Sequence, residues 1–131
     1  MNSKKPLSIS TGETSFYPAV SEEEGQLSVD VIETAKEIIV KSTIAGVKPE
    51  NLQIQLTSDM LTIRGSRPKD EELPNARYYT NECYWGKFSR SIILPQHVHA
   101  NRVKATLAHG LLTIRLPKSA GDIAVPLSVI K

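Results

Sequence analysis

With 131 residues, 40% of them hydrophobic and 23% charged, the chain has the length of one domain and enough apolar mass to bury a core. A net charge of +2 with no stripe of Lys or Arg speaks against nucleic acid as a partner, because phosphate binding draws on clustered cations. No apolar run approaches the roughly 20 residues of a membrane helix, MNSKKPLSIS leads into no apolar core of signal-peptide length, and the single cysteine, Cys83, excludes an intrachain disulfide framework; a cytoplasmic location without a membrane span is expected.

In chain order, residues 1–26 are rich in Ser, Glu and Thr, and after Met1 the larger apolar side chains are Leu7, Ile9, Phe16, Tyr17 and Val20. That composition builds no core and predicts a short flexible arm. From Leu27 onward apolar residues recur at every second position, the period of a half-buried strand. LSVDVIE places Leu27, Val29 and Val31 on one face, and EIIVKSTIAGV places Ile38, Val40 and Ile44 together. LQIQL offers Leu52, Ile54 and Leu56; LTIRG offers Leu61 and Ile63. KFSRSIILP carries Phe88, Arg90, Ile92 and Leu94, VKATL carries Val103, Ala105 and Leu107, and LLTIRLPK carries Leu112, Ile114 and Leu116. Turn signals separate them at Gly46–Pro49, Ser58-Asp59, Pro95 and His109-Gly110, and no segment runs at helical spacing. The predicted fold is all-β: an immunoglobulin-like antiparallel β-sandwich over residues 27–118.

Two segments fall outside this scheme. RPKDEELPNARYYTNECYWG is charged, then aromatic, and a loop of that length is functional or disordered. Tyr78, Tyr79, Tyr84 and Trp85 are four of the seven aromatic residues in the chain. Such clusters favour interfaces, with a satellite cluster under the loop as the alternative. The second segment is residues 119–131, a C-terminal extension in which Ile123, Val125, Leu127 and Val129 alternate around Pro126. Pro126 lacks an N–H, so this strip fits only at a sheet edge. Docked there, alternate side chains would fill pockets. Burying Ile123 and Val125 gains about 1.5–3 kcal/mol each, against about 1–2 kcal/mol per ordered residue. One contact is therefore weak, while several in a symmetric assembly hold by effective concentration. The alternative is a tail folded back on its own domain.

Reactive chemistry is sparse. Arg90 interrupts an apolar alternation and needs a partner or an exit to water. Cys83 reads as a small half-buried side chain before it reads as a redox thiol. His97, His99 and His109 have no carboxylate or thiolate nearby in sequence to complete a ligand set, so no metal and no cofactor are expected. Glu22-Glu23-Glu24 and Asp70-Glu71-Glu72 read as solvated charge runs. Without a nucleophile elbow, a phosphate-binding glycine loop or a His-Glu-x-x-His helix, the chain is not expected to be an enzyme.

VKATLAHGLLTIRLPK resembles the signature of the α-crystallin domain of small heat-shock proteins, on Ala105, Gly110, Leu112, Pro117 and Lys118. GKFSRSIILP resembles the preceding strand of that family, with Phe88, Arg90, Leu94 and Pro95, and GVKPENLQIQLTSDMLTIRGSR resembles its earlier hairpin. Ile123-Ala124-Val125 matches the family's C-terminal Ile-x-Ile/Val motif, so the likeness runs from about Leu27 to Val125. It implies a stress-response chaperone, an ATP-independent holdase that binds partly unfolded client proteins and suppresses their aggregation. It also implies a dimeric building block of a homo-oligomer. In the bacterial and plant type a strand of the long loop crosses to the partner sheet, and ARYYTNECYW sits where that strand would lie, with Tyr78, Tyr79, Tyr84, Trp85 and Arg90 at the dimer interface. Ile123 and Val125 would dock between LQIQL and VKATL of another subunit, in a groove lined by Leu52, Ile54, Leu56, Val103, Ala105 and Leu107. The chain departs from the family in its short, Phe-poor arm, in His109 where Asn or Asp is usual, and in PLSVIK after the motif. Two rival readings share the fold: a monomeric co-chaperone-like adaptor, and a short-armed subunit that modulates assemblies of longer small heat-shock proteins.

Overall fold

Each alternating segment has one apolar face, and two such sheets bury those faces against each other. The computed structural model describes residues 5–7, 9–11, 24–57, 59–69 and 71–119. Among them run β1 (Lys5–Pro6), β2 (Ile9–Thr11), β3 (Gly25–Gln26), β4 (Asp30–Glu33) and β5 (Glu37–Thr43), then β6 (Leu52–Thr57), β7 (Met60–Arg67), β8 (Gly86–Ile93), β9 (Lys104–Ala108) and β10 (Leu111–Pro117). One sheet has the order β1-β9-β10-β5-β4 and the other β2-β6-β7-β8-β3.

The core lies between the sheets. Ile38, Val40, Leu112, Ile114 and Leu116 of the first sheet meet Leu61 and Ile63 of the second, and all seven have no solvent exposure. The register places Ile38 opposite Leu116, Val40 opposite Ile114, and Ile54 opposite Ile63, so apolar residues face the same side across each ladder. The turn between β9 and β10 is the two residues His109 and Gly110, at φ 54° and 76°. Two successive positive φ values define the tight turn whose twist matches a hairpin. Histidine, like asparagine and aspartate, enters that region more readily than most side chains, which accounts for His109 here.

Two sequence expectations change. LSVDVIE is not one strand: pairing in the first sheet starts at Asp30, while Leu27 donates its N–H to the Ser89 carbonyl of β8. The chain crosses between sheets over Leu27–Val29, which leaves Leu27 in the core and Val31 exposed. Glu24 does not belong to a solvated charge run. Its side chain is only 4% exposed, ion-paired to Arg64 at 3.0 Å and accepting from Ser89 Oγ at 3.0 Å. A carboxylate with two such partners is held where a free one would be expelled to water.

Within the segment expected as an arm, β1 pairs antiparallel with β9, while β2 and β3 pair in parallel with β6 and β8. The parallel pairs arise because long connections, not hairpins, deliver these segments to the sheet edges. Phe16, Tyr17, Val20, Glu22, Glu23 and Asp70 lie outside the described residues, as do Ile123, Val125 and all of residues 120–131.

Candidate functional site

The predicted groove residues come together on one side of the sandwich. β6 and β9 belong to different sheets, yet consecutive segments of the same chain reach both of them. From Pro6 to Ile9 the chain takes three steps, at most about 11 Å, which matches the roughly 10 Å between packed sheets. Ile54, Leu56, Ala105 and Leu107 are buried there, with Leu52 and Val103 half-buried. Leu7 stands at the Ala105 position and donates its N–H to the Ala105 carbonyl at 3.0 Å, and Ile9 stands opposite Ile54. Both side chains pack on the core. Sequence reasoning assigned this groove to Ile123 and Val125, which lie outside the described residues, and missed the nearer occupant. The signal was available as Leu7-x-Ile9, the same period-two pair.

On the opposite side, β4 closes the first sheet, and its outer edge has no partner strand among the described residues. All four of its residues are exposed, Val31 and Ile32 included. An uncovered apolar edge is a template for another strand.

The long loop divides its aromatic residues. Tyr79 is 92% exposed and Tyr78 59%, with Leu73 and Trp85 also in solvent, so the described loop buries no cluster of its own. Tyr84 is tethered instead: its hydroxyl accepts from the Gly25 N–H at 3.1 Å and donates to the Lys87 carbonyl. Arg67 clamps the base of the loop, donating from Nε to the Ala45 carbonyl at 2.8 Å and from Nη1 to the Tyr84 carbonyl at 3.0 Å, with its guanidinium 5.7 Å from the centre of the Phe88 ring. Replacing Arg67 by Met keeps the stem and removes these donors. Limited proteolysis within residues 71–83 should then accelerate about tenfold or more, the measure of a locally loosened segment, while the far-UV spectrum stays unchanged.

Arg90 is half-buried on β8, and its Nη1 donates to the Leu27 carbonyl at 2.7 Å. The carbonyl that answers its charge therefore comes from its own chain. Cys83, His97 and His109 are exposed, His99 is half-buried, and no group of three metal-ligating side chains forms among the described residues. The ion pairs Arg115–Glu37 and Lys118–Glu33, at 2.7 and 2.6 Å, lie partly in solvent and add little. No helix among the described residues is long and apolar enough to cross a membrane.

Leu7 and Ile9 packed beside Ala105 and Ile54, a β4 edge without a partner strand among the described residues, and an aromatic loop in solvent stand together on one filled β-sandwich. Residues 22–127 match the Hsp20/alpha crystallin family, and the chain belongs to it. Spore protein SP21 of Stigmatella aurantiaca is 35% identical over 89 residues, covering 68% of this chain and 53% of that protein. The 17.5 kDa class I heat shock protein of Glycine max is 36% identical over 91 residues, covering 69% of this chain and 59% of that protein. The chain thus spans little more than half the length of these relatives. Among solved structures, heat shock protein 16.0 from Schizosaccharomyces pombe superposes with a TM-score of 0.70 at 32% identity, over 84% of this chain and 78% of its own.

Proposed function

We propose that this protein is an ATP-independent holdase of the cytoplasm, a binding protein and not an enzyme, which captures partly unfolded clients and limits their aggregation. The observation that carries the reading is the large apolar side chains left in solvent by a well-filled sandwich, among them Val31, Ile32, Leu73, Tyr78, Tyr79, Trp85 and Ile93. A stable fold exposes such surface where something else is to cover it. In a dimer, the segment 76–85 of one subunit adds to the bare edge of β4 in the other, with Tyr78, Tyr79, Tyr84, Trp85 and Arg90 at the interface. Ile123 and Val125 then link dimers by entering the groove of Leu52, Ile54, Leu56, Val103, Ala105 and Leu107 on a neighbouring subunit. Unfolding clients present similar apolar strips and compete for the same surfaces, and selective binding of the unfolded state needs only mass action.

The test is light scattering of a heat-labile protein with and without this chain, in the absence of nucleotide. At equimolar amounts the scattering should fall by about half or more, and undiminished scattering rejects the holdase. One observation favours a second reading, the monomeric adaptor: residues of the same chain already cover the groove. Native mass spectrometry separates the two, since the adaptor stays solitary where the holdase runs as dimers or their multiples.

A further inference from the structure

The segment seated between β6 and β9 has a second copy in the chain. Pro6-Leu7-Ser8-Ile9 returns as Pro126-Leu127-Ser128-Val129, three positions identical and the fourth one β-branched residue for another. The seat of the first copy shows why those residue types suit it. Leu7 and Ala105 form a hydrogen-bonded pair, so Pro6, opposite Thr106, occupies the intervening pair in which no ladder bond is made. A residue without an N–H loses nothing at that position. Leu7 then packs on the core beside Ala105, and Ile9 beside Ile54 on the other sheet. Pro126, Leu127 and Val129 meet each of these demands in the same order and at the same spacing. Ile123-Ala124-Val125 supplies two apolar side chains two apart, but no proline ahead of the first.

We propose that residues 126–129 are a second plug for this groove, entering that of another copy of the chain with Leu127 in the seat of Leu7 and Val129 in the seat of Ile9. The two segments exclude each other, so the groove accepts a neighbour's tail only after its own residues 6–9 have left. This gives the apolar surface of Leu127 and Val129 a place and makes the arm a built-in brake on assembly. The inference rests on the reading that tails link neighbouring subunits and changes which residues do the linking. A site that is only fractionally vacant binds more weakly by that fraction, so emptying it should strengthen capture of the tail.

The test is fluorescence anisotropy with a labelled peptide of residues 121–131, added to the full-length chain and to full-length Leu7→Ser/Ile9→Ser, whose folding is checked by circular dichroism. The peptide should bind the variant about tenfold more tightly or better. That gain should survive Ile123→Ser/Val125→Ser in the peptide and vanish with Leu127→Ser/Val129→Ser. Independently of how the variant folds, an unlabelled peptide of residues 4–11 should displace the labelled one from the wild-type chain. Equal binding to both chains, or no displacement, overturns the proposal. Binding that follows Ile123 and Val125 alone overturns it while leaving tail docking intact, and no binding by any peptide removes both.

Discussion

Replacing Ile114 by alanine should lower the free energy of unfolding by about 2–5 kcal/mol, the cost of a buried large-to-small change. Ile114 has no solvent exposure and lies in β10, the middle strand of its sheet, between Ala105 of β9 and Val40 of β5. Neighbouring strands on both sides hold the backbone in register, so the walls cannot collapse into the space left behind. The loss combines the transfer energy of the deleted methyl groups with the cavity that remains. Urea unfolding followed by fluorescence measures it: the midpoint should fall with the slope unchanged, since the same surface is exposed on unfolding. A loss under about 1 kcal/mol would mean that the site repacks and that β10 is not the rigid centre of the core.

Gly65→Ala should cost about 1–3 kcal/mol for a single added carbon, by overpacking. A Cβ at Gly65 would lie 2.6 Å from Phe88 Cζ and 2.9 Å from the backbone oxygen of Asn51. Phe88 is 3% exposed and directly opposite Gly65 across the β7–β8 ladder, so its ring has no solvent to swing into. The Asn51 carbonyl ends the short 3-10 turn before β6 and cannot rotate away alone. Thermal unfolding reads the effect. Adding Phe88→Leu to Gly65→Ala shortens the clashing side chain, so the double variant should lose less than the sum of the two single changes. Strict additivity would contradict this steric account.

What the sequence reveals tracks what alternation encodes. Ile54 and Leu56, or Leu112, Ile114 and Leu116, each declare a strand with one buried face, and the two-sheet sandwich follows from the number of such faces. Alternation is silent about which sheet a strand joins, so Leu27, Val29 and Val31 read as one strand although the chain changes sheets between them. The family resemblance, not the alternation, proposed a groove between LQIQL and VKATL. The placing of Leu7 and Ile9 there was not legible, because two apolar residues in a polar segment gain meaning only beside the edges of β6 and β9. Tyr78, Tyr79 and Tyr84 are chemically the same residue, and the Gly25 N–H and the Lys87 carbonyl make Tyr84 a tether to the sheet, while Tyr78 meets Lys69 in solvent and Tyr79 is almost wholly exposed. Glu24 is a similar case: its ion pair with Arg64 joins residues 40 positions apart, beyond the reach of local pattern.

The short crossing from β9 to β6 also limits how the fold can polymerise. With β1 and β2 laid along that flank, the sheets end there in strands of two and three residues, and β4, of four, is the longest edge strand among the described residues, β3 being two. In the proposed dimer, pairing through β4 covers the longest edge strand among the described residues and leaves edges of two or three residues, too short to template a growing fibre.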